Sequence, residues 1–235
     1  MFNTSKLKAL CAPFFNLTDD MCEKLCIYGK LLIEWNEKMN LTAIVEPDEI
    51  LIKHFYDCLL FLKNVEIPQG AKVIDVGTGA GFPGVVLKIA RPDIDLTLLD
   101  SLGKRITFLN AVLDATKLSA NAVHGRAEEF AKKTEYREVY DIACARAVAR
   151  LNILSEYCLP FVKTGGQFVS LKGPAAEEEL CEANKAIAVL GGEKGAVFSE
   201  KLPDQTGRSF IIIKKISQTP TKYPRNSGKI TKQPL

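Results

Sequence analysis

The ten residues from Asp75 to Gly84, DVGTGAGFPG, constrain the fold of this chain more than any other stretch. They extend the β-branched run KVI, place glycine at positions 77, 79, 81 and 84, and end where the apolar run VVLKIA begins. Glycine reaches backbone conformations closed to other residues and has no Cβ to hold a ligand or a neighbouring chain away. A strand, a glycine turn and a helix N-terminus in that order form a small-molecule cradle at the end of a parallel sheet.

The flanking sequence agrees. The strand-like runs KVIDVG, DLTLLD, NAVHGR, DIACARA and GGQFVSLKG alternate with helical patterns over 83–90, 103–115, RLNILSEYCLPF and AAEEELCEANKAIAVL. Such alternation predicts a parallel sheet with helices on both faces. After Gly191 it stops. EKGAVFSEKL and RSFIIIKKI are separated only by PDQTG, too short for a parallel crossover, so this last pair must be antiparallel. Ahead of the sheet, Met21, Leu25, Tyr28, Leu32, Trp35 and Met39 step by four and three along one helical stripe, with Thr18 as a cap and Asp19 and Asp20 at the positive end of the dipole. The stripe is too short for a stable coiled coil and predicts a packing face. A second helix is predicted from Asp48 to Leu62, opened by Pro47. The fold class is therefore α/β, Rossmann-like, with a seven-stranded, mostly parallel sheet and a terminal antiparallel strand. Three segments follow: a helical part over 1–66, the sheet domain over 67–217 and a tail over 218–235.

The 235 residues suit one domain with an appendage. No apolar run approaches the roughly 18 residues of a membrane span, and the N-terminus lacks the pattern of a secretory signal. Seven cysteines at irregular spacing predict reduced thiols, mostly buried, in the cytoplasm; a monomer is expected. Cys22 and Cys26 form C-x-x-x-C, but the next position of a radical iron–sulfur motif is Gly29. Only two histidines are present, which argues against a catalytic metal. Net charge is +3, yet residues 214–235 carry six basic side chains and no acid, so the rest of the chain is slightly acidic. A basic tail on such a body points to a polyanion as partner.

The glycine stretch fits two cofactor fingerprints. From Gly79 it reads G-x-G-x-x-G, a dinucleotide pattern; from Asp75 it reads D-x-G-x-G-x-G, the first motif of an S-adenosylmethionine methyltransferase. Asp100, closing the second strand, suits ribose hydroxyls in either case. Three features separate them. A carboxylate, Asp75, stands where a dinucleotide fingerprint has an apolar residue. The first glycine after the strand, Gly77, has no place in the dinucleotide pattern. The antiparallel ending is that of a methyltransferase sheet. Together they favour S-adenosylmethionine as the cofactor.

The acceptor is bounded by what is missing. The end of the fourth strand reads CARAVARL, without the Asn/Asp-Pro-Pro-aromatic turn used on exocyclic amines. Cys144 lies inside an apolar run and reads as a buried strand residue, against the alternative of a nucleophile. A ring nitrogen that already carries a lone pair, such as guanine N7, remains; its attack needs positioning and no base. Arg146 at that strand end either contacts cofactor or phosphate, or is a solvated arginine. Ala127 and Glu128 after the third strand either read the adenine through backbone amides or open a short helix. His54 and Asp57, three apart on one helix, are expected to pair structurally. Lys104 and Arg105 either touch phosphate or form a solvated face.

WNEKMNLT (35–42), HFYDCLL (54–60), DVGTGAGFPG (75–84), LLDSLGKRITFL (98–109), GRAEEF (125–130), ARAVARL (145–151), GGQFVSLKG (165–173) and YPRNSGKITKQPL (223–235) together resemble the bacterial small-subunit ribosomal RNA guanine-N7 methyltransferases, once called glucose-inhibited division protein B. The resemblance covers nearly the whole chain. It implies S-adenosylmethionine-dependent N7 methylation of one guanine in the decoding-region loop of 16S rRNA, free or in the small ribosomal subunit. It also implies cofactor contacts at Gly77, Phe82, Ala127, Glu128 and Arg146, to which the physical argument adds Asp75, Gly79 and Asp100. No residue carries over as an acid or base. Cys58 departs from the serine usual in that motif. Lys172 and, in the tail, Lys222, Tyr223, Arg225 and Lys229 are the expected RNA contacts, the tail as a flexible strand along phosphates with Tyr223 stacked on a base, or else as a solubilising end.

Overall fold

The computed structural model describes residues 2–146, 148–174 and 176–235. Its N-terminal third is helical: α1 (Thr4–Cys11), α2 (Asp19–Met39), and a nearly continuous run over 47–64. Thr18 caps α2 as expected, its Oγ1 accepting from the Met21 amide at 3.3 Å. The second run differs from a plain helix. It consists of α3 (Pro47–Ile50), a π-helical stretch over Leu51–Tyr56, α4 (Asp57–Leu59) and α5 (Phe61–Asn64). The wider π turn shifts the register of the side chains that follow, a device often found beside functional sites.

The sheet has seven strands in the order β3-β2-β1-β4-β5-β7-β6. These are β1 (Lys72–Val76), β2 (Asp95–Asp100), β3 (Asn121–His124), β4 (Tyr140–Arg146), β5 (Val162–Lys172), β6 (Gly192–Lys201) and β7 (Gly207–Lys215). The first five pair in parallel; β7 runs antiparallel between β5 and β6, as the short PDQTG connection requires. Helices α6 (Gly84–Ala90), α7 (Gly103–Thr116), α8 (Ala127–Phe130), α9 (Leu151–Cys158) and α10 (Ala176–Val189) connect them, and α11 (Ser227–Lys232) follows the sheet.

Strand alternation divides the interior in two. Val73, Leu96, Leu98, Ile142, Cys144, Val169, Phe210 and Ile212 face α6, α7 and the N-terminal helices, which share that core. Ile74, Val76, Leu99, Ala143, Ala145, Phe168, Ile211 and Ile213 face α9 and α10. Five cysteines are buried, Cys26 is half-buried and Cys181 is exposed; all seven are free thiols. Strand order reverses between β1 and β4, so the crevice at their C-terminal ends is where a ligand binds in an open α/β sheet.

Candidate cofactor and acceptor site

The glycine loop closes over the end of β1. Gly77 and Gly81 lie at φ +69° and +100°, a region other residues enter only with strain. They are also sterically sealed. A Cβ on Gly77 would stand 3.0 Å from Val148 Cγ2, and one on Gly81 would stand 2.6 Å from Val85 Cγ2. Asp75 lies beneath this loop, fully buried. Its Oδ2 accepts from Thr78 Oγ1 at 2.7 Å and from the Gly84 amide at 2.8 Å, whereas Oδ1 is buried with no hydrogen-bond partner. Burial pushes the carboxyl up to about 6. A buried oxygen left without a donor is costly. Asp100, at the end of β2, is also buried. Its Oδ2 accepts from the Gly79 amide at 2.9 Å and from Arg105 Nη1 at 3.1 Å, and its Oδ1 from the Leu102 amide at 2.9 Å. Acceptor capacity remains on Oδ1 for a hydroxyl.

The N-terminal helices buttress this loop. Tyr28, on the predicted stripe of α2, is fully buried and donates its hydroxyl to the Ala80 carbonyl. Its ring stacks on Phe82 at 5.2 Å between centroids. The opposite part of the Phe82 environment is polar: His54 stacks on it at 4.3 Å, and the Arg146 guanidinium lies 4.8 Å from the ring centre. Arg146 is neither solvated nor free. Nη1 donates to Asp57 Oδ2 at 3.1 Å and to the Lys53 carbonyl at 3.2 Å, and Nη2 donates to His54 Nδ1 at 3.1 Å. An arginine can only donate, so Nδ1 accepts and the proton of His54 sits on Nε2, 3.0 Å from Thr42 Oγ1. Burial, then the Arg146 charge, lowers His54 to about 3. The pairing expected between His54 and Asp57 is therefore indirect: the π turn points both at Arg146, which bridges them. A second guanidinium, Arg208 Nε, lies 3.2 Å from Asp57 Oδ1.

Two clefts meet at this loop. One, of about 910 Å³, is lined by Gly79, Phe82, the cations Lys53, Arg105, Arg146, Arg150, Lys172 and Arg208, and the carboxylates Asp57, Asp100 and Glu179; each of the cations has an acidic partner. The other, of about 390 Å³, is lined by Val76, Ala127, Glu128, Ile153, Tyr157, Ser227 and Thr231. Gly77, Asp100, Ser101, Val148 and Ala149 border both. The structure thus brings Gly77, Gly79, Phe82, Asp100, Ala127, Glu128, Arg146 and Lys172 to one bipartite groove, with Asp75 behind the loop. Ala147, within the ARAVARL motif, lies outside the described residues. Lys104 is drawn to the Met39 carbonyl at 3.0 Å and Arg105 to Asp100.

The tail departs from the expected free strand. Tyr223 is buried; Arg225 forms a bidentate pair with the buried Glu156, Nη2 to Oε2 at 2.6 Å and Nε to Oε1 at 2.9 Å; and Arg137 donates to the Tyr223 carbonyl at 2.9 Å. Burying the ring and neutralising a buried carboxylate hold this segment on the body, and the Tyr223 ring is not presented for stacking on a base. Lys222 and Lys229 remain exposed. Thr42, Arg208, Ser227 and Thr231 also line the groove, although no local spacing marks them as site residues; Tyr28, which the helical stripe singled out, supports the loop from behind.

The sheet order, the antiparallel ending and the groove at the β1/β4 reversal define a class I methyltransferase fold. A solved 16S rRNA (adenine(1408)-N(1))-methyltransferase variant from Catenulisporales acidiphilia superposes with a TM-score of 0.54 at 15% identity, over 67% of this chain and 88% of that one. Residues 21–206 match GidB, the family described as rRNA small subunit methyltransferase G. The curated "Ribosomal RNA small subunit methyltransferase G" of Alkaliphilus oremlandii is 54% identical over 93% of this chain and 92% of its own length; that of Desulforamulus reducens is 52% identical over 94% and 93%. The chain belongs to the rRNA small subunit methyltransferase G family.

Proposed function

We propose that this enzyme transfers the methyl group of S-adenosylmethionine to N7 of one guanine in the decoding-region loop of 16S rRNA, by direct displacement. The observation that carries the reading is the pair of clefts joined at Gly77 and Asp100. One offers aliphatic and hydroxyl groups suited to an adenosine; the other carries six cations against three carboxylates, a net positive lining suited to a phosphate-bearing acceptor. Bound across them, S-adenosylmethionine supplies an electrophilic methyl on a sulfonium. Asp75, behind the glycine loop, braces it through Thr78 and Gly84 and adds negative charge beneath the cofactor, Asp100 Oδ1 offers an acceptor to a ribose hydroxyl, and the Ala127–Glu128 turn its backbone to the adenine. Phe82 and Arg146 form the wall next to the methyl-transfer point. Both nitrogens of His54 are committed, and its depressed basicity keeps it neutral at physiological pH, so it orients Arg146 and takes no proton. An acceptor with a lone pair ready for in-line attack, as guanine N7 has, needs none taken. The exposed Lys222 and Lys229 offer charge to phosphates, and Lys172, held by Glu179 at 2.7 Å and the Ala149 carbonyl, lines the cleft wall for the same role. Tyr223 and Arg225 support this surface from below.

Ribosomal RNA from a strain lacking the gene should lose one site of borohydride–aniline cleavage, the signature of 7-methylguanine, and purified enzyme should restore it in the presence of S-adenosylmethionine. An unchanged cleavage pattern would overturn the proposal. Offering deproteinised rRNA and intact small subunits in parallel identifies the substrate form.

A further inference from the structure

The smaller cleft contains two residues from a segment that follows the sheet: Ser227 and Thr231, both on α11. Their presence follows from a built seat. The Arg225 guanidinium and amide converge on Glu156, which is 1% exposed. Arg137 takes the Thr219 carbonyl at 2.7 Å as well as that of Tyr223. Ile230 is fully buried. Ser227 Oγ lies 3.0 Å from the hydroxyl of Tyr157 on α9, and Asn226 Oδ1 caps α11 by accepting from the Lys229 amide at 2.9 Å. Helix α9 in turn begins just after Val148 and Ala149, which border both clefts. Residues 219–231 are therefore strapped across the helix that carries one side of the groove.

The chemistry of this wall is specific. Ser227 and Tyr157, whose hydroxyls pair with each other and keep one proton between them to donate, and Thr231, whose hydroxyl donates to the Ser227 carbonyl at 2.9 Å and can still accept, line this cleft together with Ile153, Val148 and Ala127. A flat heteroaromatic base with ring acceptors and an exocyclic donor satisfies both the hydroxyls and the aliphatic groups. We propose that α11 is the outer wall of the adenosine site, so that the C-terminal segment holds the cofactor with one face while Lys229 and Lys232 point to solvent on the other. This rests on the assignment of the smaller cleft to adenosine made above. A segment serving both faces makes cofactor affinity sensitive to its docking, and by linkage makes its docking sensitive to cofactor.

Calorimetric titration of S-adenosylmethionine, S-adenosylhomocysteine and adenosine would test it in three proteins: the full chain, a truncation ending at Lys222, and full-length Thr231→Trp. Removal of α11 should weaken all three ligands by a similar factor, tenfold or more, because the lost wall touches their common adenosine. Thr231 is exposed at the cleft rim, so the tryptophan is tolerated by the fold and should change the affinities at least fivefold. Should the truncated chain fail to fold, or the two variants disagree, Thr231→Trp decides: affinities within twofold of the full chain overturn the proposal. A full chain that binds none of the ligands overturns the parent assignment itself, a different result from equal binding by all three proteins.

Discussion

The Tyr28 hydroxyl offers a sharp test of how the helical layer holds the cofactor loop. Tyr28→Phe removes one oxygen and keeps the ring, whose neighbours Phe82, Phe55 and Phe108 stand 5.2, 5.6 and 6.4 Å away between centroids. What is lost is the donor to the Ala80 carbonyl, at the crest of the glycine loop. A buried carbonyl left unpaired costs about 1–3 kcal/mol. For a chain of this size each kcal/mol lowers Tm by about 2–4 °C, so the variant should melt about 2–12 °C lower. Urea unfolding should show a lower midpoint with an unchanged slope, because the same surface is exposed on unfolding. Ala80 lines the larger cleft in the loop that carries Gly77 and Gly79, so the untethered loop should also bind S-adenosylmethionine less tightly, by up to about tenfold, which corresponds to about 1.4 kcal/mol of the lost anchoring. Tyr56→Phe, on the far side of the same layer beside Phe14, is the control and should stay within about 0.5 kcal/mol of the parent. If Tyr28→Phe is as stable as that control, the hydroxyl is not an anchor and the proposed route from helix to loop is wrong.

Other perturbations probe the rest of the groove. Asp75→Asn keeps an acceptor for Thr78 and Gly84 but removes the charge, so S-adenosylmethionine affinity should fall by more than tenfold in calorimetry while the fold is retained. Gly77→Ala should cost about 1–2 kcal/mol in urea unfolding from its left-handed backbone alone, and should displace Val148 from both clefts. Arg146→Met strands His54 Nδ1 and one oxygen of Asp57; breaking a buried pair costs about 3–5 kcal/mol, here toward the lower end because Arg208 remains, and Asp57→Asn in the same background should recover part of it. The pH dependence has a definite sign. Asp75 near 6 lies above its unfolded value of about 3.9, so its contribution to stability falls as pH rises from 4 to 6; His54 near 3 lies below its unfolded value of about 6.5, so its contribution rises over pH 3 to 6.5. The two oppose each other between pH 4 and 6, and His54→Gln should expose the Asp75 slope, losing about 1.4 kcal/mol per pH unit relative to the parent as pH rises through that window.

Much of this was legible because it is local. The glycine spacing, the acids closing β1 and β2, the strand–helix alternation and the short final hairpin are each settled within a few residues, and the parallel sheet and groove position follow from them. The two readings left open for Arg146 could not be resolved that way. Its partners, Lys53, His54 and Asp57, lie about ninety residues upstream on another layer, and the π turn that aims them has no signature in LIKHFY. The tail shows the same division. Its basic charge is plain in the sequence, but the acid that claims Arg225 is Glu156, on a helix whose burial depends on the assembled sheet.

The sequence by itself determined the class of fold and where a cofactor would lie, because backbone conformation, strand period and connection length are short-range properties. Only the tertiary structure decided which charges are free to meet a ligand. Burial raises the cost of an unpaired charge, and the cheapest partner is whichever side chain folding brings near. That selection committed Arg146, His54 and Arg225 to the protein, left Asp75 Oδ1 without a partner, and drew the C-terminal helix in beside the smaller cleft.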